Sequence, residues 1–586
     1  MDKNPKQKLE ALRLQLTALG LDGFIVPRMS EYQGEFVAAY AERLKWLTGF
    51  TGSAGTALVL QDRAAILTDG RYTLQLAQQA DSTLYEFENI THVTVPQWLS
   101  DNTKPGAAIG YDPWLLTVKQ VQQIERVMAG TGIELIPVQE NPIDALWEGR
   151  PSFPMANVEI FPDDFAGVAA GEKIKSVCEA LRKENLSACL ITLPDSLAWL
   201  LNVRGGDVEH TPVVLSFGIL HENGHIEWLV HREKLNADIR KHLGAHVEIV
   251  SPDKIFERIA ALNGKVGLDF SRSPAWFKQT LGDRAVNFKD PCIEPKSIKS
   301  KEEQEALRAA HIRDGAALVN FLYWLDMNES RLTELDIVEK LEEFRRGNKA
   351  YRGPSFSTIS GWNANGAIVH YRATEETNAP VNPPGLLLLD SGGQYNDGTT
   401  DITRTVAIGP PTDEMQTAFT LVLKGHIAVA SAKFPEGTTG AQIDALARAP
   451  LWAANLDYAH GTGHGVGCFL SVHEESAGIS PRGSDPLRAG MFLSNEPGYY
   501  KEGAFGIRTE NLILVRKDGK SSNGQEMLYF ETLSLAPVDR RLIKKEMLSA
   551  TELQWLNDYH SRVIALLSPY LDMSVRDWLA QQAAAL

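Results

Sequence analysis

The chain has 586 residues, of which 44% are hydrophobic and 23% charged, and a formal net charge of −16. That length is beyond one hydrophobic core and calls for about two to four domains of an ordinary soluble globular protein. The acidic surplus argues against nucleic acid or an anionic membrane as the main partner, and no stretch approaches the length of a membrane-spanning helix.

The N-terminal "MDKNPKQKLEALRLQL" is polar, then helical in pattern, and lacks the apolar core of a signal peptide. Cys178, Cys189, Cys292 and Cys468 are scattered and form no C-x-x-C, as expected of reduced, buried cysteines in a cytoplasmic protein. In the first block, 1–148, the amphipathic "KLEALRLQLTALG" precedes the short apolar strand "GFIVP". In the second, 149–296, "GEKIKSVCEALRKEN" precedes "SACLITLP" in the same way, after the proline-containing linker "EGRPSFP". Two further echoes run in the same order. "LKWLTGF" matches "LAWLLNV" with Trp46 and Trp199 offset by 153, and "IGYD" matches "VGLD" with Gly110 and Gly267 offset by 157. The first two blocks therefore read as diverged copies of one α/β domain.

The third block, 297–586, opens on a long helix whose start has capping-box spacing at Ser300 and Glu303. All strong chemical signals lie here. "GLLLLDSGGQYNDGTTDITRTVAI" reads as a hairpin with Leu386–Leu389 buried, a turn at Asn396-Asp397-Gly398 and a return strand over Thr399–Ile408. That fold makes Asp390 and Asp401 diagonal neighbours on one face. Twenty residues earlier, His370 in "GAIVHYR" reads as a strand histidine.

"HGTGHGVG" follows at 460–467. Histidines four apart suggest a zinc-binding helix, but glycine at every second position would cost such a helix roughly 1 kcal/mol each. With period two, His460, Thr462, His464 and Val466 share one face of an extended segment, and glycine lines the other. Residues four apart in a strand are separated by about 13 Å, so the two rings serve different purposes, one a ligand and the other a substrate group. The bare glycine face lets a neighbour pack close. In "MFLSNEPGYYKEGAFGIRTENLILV", strands flank a loop around Lys501–Gly503, so Glu496 and Glu510 face one another. Arg508 lies two residues before Glu510 on the same face, where it can neutralise that acid.

One pair of turn-flanking aspartates is commonplace. Two hairpins that each present an acid pair, with a histidine on a third strand, are hard to read as solvated surface, because facing carboxylates need a cation or a proton between them. Asp390, Asp401, His464, Glu496 and Glu510 form a carboxylate-rich set suited to Mn²⁺, Co²⁺ or Zn²⁺, and four acids exceed the needs of a single ion. Two divalent ions are the natural occupants.

The spacings D-x10-D and E-x13-E around His464 resemble the ligand set of the pita-bread metallopeptidases, the family of methionine aminopeptidase, prolidase, aminopeptidase P and the metal-free creatinase. "HGTGHGVG", His473 in "SVHE", "NEPGYYKEGAFGIRTEN", "TGFTGSAGTALVL" and "TDGRYTLQ" are more closely similar to the long, three-domain Xaa-Pro aminopeptidases. The resemblance covers essentially the whole chain and implies two creatinase-like α/β domains followed by a pita-bread domain. It implies removal of the N-terminal residue from peptides with proline second, by a hydroxide bridging two ions, with Mn²⁺ the favoured metal. Asp390 would hold one ion, His464 and Glu496 the other, and Asp401 and Glu510 both, with Glu496 also shuttling protons. His370 and His473 would steady the substrate and intermediate. His460, Tyr500, Arg508 and Arg71 would line or contact the substrate, and the chain would form a homodimer. Two other readings stay open: a prolidase acting on Xaa-Pro dipeptides, and a metal-free pita-bread binding protein.

Overall fold

The computed structural model describes residues 4–328 and 332–586. The described chain divides into two compact units, one made of residues up to Pro162 with Val168–Cys292, the other of Asp163–Gly167 with Ile293–Leu586.

The first unit contains two six-stranded sheets of identical plan. In the first, Gly23–Pro27 is flanked on one side by antiparallel Thr56–Leu60, then antiparallel Ala64–Thr68 and parallel Glu86–Asn89, and on the other by parallel Ala108–Tyr111 and Glu134–Pro137. In the second, Ala188–Ile191 takes the central place, with Phe217–His221, Ile226–Leu229 and Val247–Val250 on one side and Val266–Leu268 and Ala285–Asn287 on the other, in the same senses. The sequence echoes fall on matching places. Trp46 and Trp199 lie on the helices Arg43–Thr48 and Pro194–Leu200 that follow each first strand, and Gly110 and Gly267 on the strands paired parallel to it. A Cβ at Gly110 would meet the Phe24 ring at 2.8 Å, and one at Gly267 the Cβ of Cys189 at 3.2 Å, so both sheets use glycine where this strand crosses its central neighbour. Residues 150–158 are irregular. All four cysteines are buried.

In the second unit the helix Lys301–Asn328 starts on the expected capping box, Ser300 N–H donating to Glu303 and Glu303 N–H to the Ser300 hydroxyl at 2.8 and 3.0 Å. Strands Ile359–Trp362, Gly385–Ser391 and Ile402–Ile408 form one sheet, and Lys433–Pro435, Glu526–Thr532, Asn511–Lys520, Phe492–Asn495, Gly463–Gly465 and Glu474–Ile479 a second. The unbroken "LLLL" is explained by burial on both faces. Leu386 packs with Phe419 and Val422 of helix Asp413–Ala430, while Leu387 and Leu389 pack with Phe321 and Leu341 of the helices Lys301–Asn328 and Glu334–Arg346. A third cluster, with Val429, Leu493, Ile513 and Phe530, fills the space beside the six-stranded sheet.

The first acidic hairpin has the expected register, Asp390 opposite Thr403 and Tyr395 opposite Gly398, but it is not one continuous hairpin. It is divided between two sheets, and the break falls at Gly392 and at Thr400-Asp401. A Cβ at Gly392 would lie 2.0 Å from the Thr400 carbonyl oxygen, so the two arms cross there with no room for a side chain. The crossing is tied to the helices by a buried pair. Arg345 donates to both Asp314 oxygens at 2.8 and 3.3 Å and to the Gly392 carbonyl at 3.3 Å, and Tyr395 donates to Asp314 at 2.8 Å. Arg345→Met strands a buried carboxylate, and we expect it to lower the urea midpoint by the equivalent of about 3–5 kcal/mol. An unchanged midpoint would mean that the pair does not hold the crossing.

Candidate active site

Both acidic hairpins deliver their carboxylates by plain strand geometry. Asp390 continues the Leu386 and Leu388 face of its strand, and Asp401 sits at the sheet break beside it. The second hairpin keeps one register throughout. Asn495 pairs with Asn511 and Gly498 with Arg508, which places Glu496 and Glu510 opposite one another between the two ladders. Gly503 occupies the turn with φ +70°, a conformation that favours glycine.

The glycine-rich segment is a strand only over Gly463–Gly465, as period two requires at His464, while His460 and Thr462 lie in bends before it and Val466 beyond its end. Gly463–Gly465 pairs with Glu474–Ile479 on one side and with Phe492–Asn495 on the other, and Glu496 N–H donates to the Thr462 carbonyl at 2.7 Å. A Cβ at Gly463 would lie 2.0 Å from the Ser494 carbonyl oxygen, and one at Gly465 2.6 Å from that of Glu474. The bare face exists so that flanking backbone can close on the strand carrying His464. An irregularity in register between His464 and Gly465 bends the ladder at the histidine, a common device for aiming a side chain.

Four of the expected ligands converge. One ligand atom from each of Asp401, His464 and Glu510 lies within 4.8 Å of the other two, and His464 Nε2 faces Asp401 at 3.6 Å and Glu496 at 3.3 Å. His464 Nδ1 lies 2.9 Å from the Gly465 carbonyl and donates to it, which turns the Nε2 lone pair toward the acids. Asp390 joins through Arg508, whose Nη2 reaches it at 2.6 Å. Arg508 is thus the partner of Asp390, not of Glu510 as its place in the strand suggested. Glu510 instead accepts from the Thr403 hydroxyl at 2.7 Å. Arg508 also donates to Thr403, to the Tyr500 hydroxyl and to the Val369 carbonyl.

The electrostatics call for cations. Burial and the neighbouring Glu510 and Asp390 push Asp401 well above the usual carboxylate range, and burial with Asp390 and Glu496 does the same to Glu510. Burial, with Asp390 adding to it, raises Glu496 to about 7. Asp390 Oδ1 and Asp401 Oδ1 are buried with no hydrogen-bond partner, and an orphaned buried carboxylate oxygen is costly unless an ion meets it. Hard carboxylate oxygens with one imidazole fit divalent ions of the manganese-to-zinc range.

The remaining residues fall into four groups. His473 packs edge-on against His464, ring centroids 4.3 Å apart. Tyr500 accepts from Arg508 at 2.6 Å and meets His460 Nε2 at 2.8 Å, while His460 Nδ1 donates to the Gly461 carbonyl, so the tyrosine proton points to His460. His370 lies in a turn rather than a strand, because the chain leaves the 3-10 helix Asn363–Ala367 just before it. The Val369 carbonyl held by Arg508 fixes that turn beside the site. Arg71 lies in the first unit, doubly bonded to Asp69 at 3.0 and 2.8 Å.

Two supporting residues carried a sequence signal that alternation alone would reveal. Thr403 stands two residues after Asp401, and Ser494 two before Glu496, donating to Glu496 at 3.2 Å and accepting from His464 N–H at 3.0 Å. His426 and Arg404, which brace the glutamates from behind, carried none.

The chain is similar to known proteins over nearly its whole length. The model of metallopeptidase family M24 matches residues 305–517, that of the C-terminal region of the M24 peptidases 526–586, and two models of the creatinase/prolidase N-terminal domain 8–146 and 149–303. A probable Xaa-Pro aminopeptidase P of Paracoccidioides brasiliensis is 38% identical over 98% of both chains, and one from Ajellomyces dermatitidis is 38% identical with the same coverage. The solved X-prolyl aminopeptidase of Caenorhabditis elegans, described as a cytosolic enzyme with a di-nuclear active site, superposes over 100% of both chains with TM-score 0.96 and 31% identity. A prolidase of Pyrococcus horikoshii, 22% identical, shares the fold over 64% of this chain and 100% of its own, with TM-score 0.51.

The tight backbone packing at Gly463 gives a direct test. Gly463→Ala forces the strands bearing His464 and Glu496 apart, and we expect a loss of about 1–3 kcal/mol in urea unfolding together with reduced retention of Mn²⁺ after gel filtration. Wild-type stability and metal retention would show that the close approach is not needed.

Proposed function

We infer the reaction from a plain premise: the chain belongs to metallopeptidase family M24, among its Xaa-Pro aminopeptidase P members with two creatinase-like N-terminal domains. It is a metal-dependent aminopeptidase that removes the N-terminal residue from peptides with proline in the second position. The observation that carries this reading is the convergence of Asp401, His464, Glu496 and Glu510 on one buried locus in a chain matched end to end by such enzymes.

Asp390, Asp401, His464, Glu496 and Glu510 are the residues that would hold two divalent ions. When bound, the ions acidify a water and polarise the scissile carbonyl. Their identity as Mn²⁺ is supported by the hardness of the oxygen ligands. The scissile nitrogen belongs to proline, so it is a tertiary amide without N–H and must be protonated to leave. Glu496 suits that proton transfer. Its Oε1 is held by the Ser494 hydroxyl at 3.2 Å and faces His464 Nε2 at 3.3 Å, and to this carboxylate we assign taking a proton from the attacking water and passing it to the proline nitrogen. To His473, which packs against His464, and to His370, which follows the Val369 carbonyl held by Arg508, we assign donation to the carbonyl oxygen as it gains charge. The hydrogen-bonded line Arg508–Tyr500–His460 fixes one wall, to which we assign the proline side of the substrate. Arg71 is assigned to substrate contact on the resemblance alone.

A cytoplasmic location is supported by the description of the nematode relative as cytosolic. Among the described residues no helix is long and apolar enough to cross a membrane. A homodimer is the expectation that the family resemblance sets, and light scattering on the purified chain decides it.

Chelator-treated protein given back Mn²⁺ should release free arginine from Arg-Pro-Pro and leave Ala-Pro and Arg-Ala-Ala intact. Cleavage of Ala-Pro alone would make it a prolidase, and no cleavage with no metal uptake would make it a binding protein. His370→Ala and His473→Ala should each lower kcat by roughly 10²–10³ while metal content is unchanged. Loss of metal from either variant would move that histidine out of the oxyanion role.

A further inference from the structure

Behind the acid cluster lies a buried polar network that the reaction itself does not use. His426, on helix Asp413–Ala430, is fully enclosed. Burial and the nearby Arg404 cation push its ring down to about 3, so it is neutral. Its Nδ1 donates to the Asn495 carbonyl at 3.1 Å, and its Nε2 accepts from the Asn511 side-chain amide at 3.0 Å. The Asn495 amide returns a bond to the His426 carbonyl at 2.9 Å. Asn495 and Asn511 are directly paired across the ladder, and they are the residues immediately before Glu496 and immediately after Glu510. One imidazole therefore bolts together the two strands at the residues that adjoin both glutamates.

Arg404 supplies the second half. It lies three residues after Asp401, is buried, and all its bonds are to neutral acceptors. It donates to the backbone carbonyl of Glu510 itself at 2.7 Å, to that of Thr403 at 2.8 Å and to the Asn511 side chain at 2.9 Å. Its other bonds run to the C-terminal segment: the Pro537 and Ala536 carbonyls at 3.1 and 2.9 Å and the Tyr559 hydroxyl at 2.8 Å. Trp555, one turn before Tyr559 on helix Ala550–Leu567, packs on both Tyr559 and His426 with ring centroids 5.4 and 6.0 Å apart. A buried guanidinium without a carboxylate is a costly way to fill space, and an apolar side chain would fill it better. A satisfied polar network, by contrast, fixes geometry more sharply than apolar packing does.

We propose that His426 and Tyr559 are positioning residues for the metal centre, through which the C-terminal helix sets the separation and angle of Glu496 and Glu510. The inference rests on the dinuclear reading above. His426 acts through Asn495 and Asn511, and Tyr559 acts through Arg404 and Asn511, so neither touches the substrate.

The test uses the full-length protein, stripped by chelation and titrated with Mn²⁺ alone by calorimetry at a temperature well below unfolding. His426→Phe keeps a ring and removes both nitrogens, while Tyr559→Phe removes one hydroxyl. We expect Mn²⁺ to bind His426→Phe roughly 10- to 100-fold more weakly than wild type, and Tyr559→Phe by up to roughly tenfold. At saturating Mn²⁺, kcat on Arg-Pro-Pro should fall with KM within about twofold, and the spin-coupled Mn²⁺ resonance should change shape. If His426→Phe does not fold, the Tyr559→Phe titration decides alone. Wild-type Mn²⁺ affinity and kcat in the folded variants, with only a lowered melting temperature, would overturn the proposal. A wild type that takes up fewer than two equivalents would overturn the dinuclear reading and this proposal together.

Discussion

The second unit is organised around a repulsion. Asp390, Asp401, Glu496 and Glu510 are brought into one largely buried region, where burial and neighbouring carboxylates raise the proton affinity of Asp401, Glu496 and Glu510. Nothing local favours that arrangement. It is imposed by strands whose other residues are strongly committed elsewhere: Leu386, Leu387 and Leu389 to two different apolar clusters, Ile513 and Val515 to the core beside the six-stranded sheet, Ile507 to the packing under helix Asp413–Ala430. Each carboxylate lies at or just beyond the end of such a strand, so burial of the leucines and isoleucines carries the acids to their places.

Much of this was legible in the chain. Period-two alternation and turn chemistry set the register of both acidic hairpins, because Asn396-Asp397-Gly398 and the Gly503 turn each leave one way to pair the flanking strands. Alternating glycine told helix from strand at His464, since only an extended segment makes use of a bare face. The duplicated α/β plan was visible in two short echoes because those positions, a core helix and a glycine crossing, are the ones that packing constrains most.

What the chain did not disclose was long-range. Arg508 was read with its neighbour Glu510, yet its side chain reaches the other hairpin to meet Asp390, a choice set by sheet packing rather than by strand alternation. The division of the first hairpin into two sheets depends on the approach of Thr400 and Ser355 to Gly392, residues far apart in sequence in the latter case. His370 reads from the sequence as a strand residue, but there the chain leaves the 3-10 helix Asn363–Ala367 and turns. His426 and Arg404 have no local signature. A helix histidine and a strand arginine become informative only when the chain is folded and every acceptor of the arginine turns out to be neutral.

The same charge accounting explains why a pair of ions suits the site better than one. Arg508 is spent on Asp390, so four carboxylates and one guanidinium leave three negative charges in the cluster. One divalent ion would leave the site negative, and a negative site repels the oxygen that becomes anionic as a carbonyl is attacked. Two would leave a single positive charge, on ligands carried by strands that apolar packing and hydrogen bonds hold in place. Arg404 adds a further cation behind Glu510, but it is saturated by carbonyls and cannot turn toward the acids to replace a metal. A lysine there, with one rotatable ammonium and fewer donors, could swing forward, whereas a guanidinium fixed by six acceptors cannot. The fold thus sets Arg404 where it stiffens the site without meeting the carboxylates.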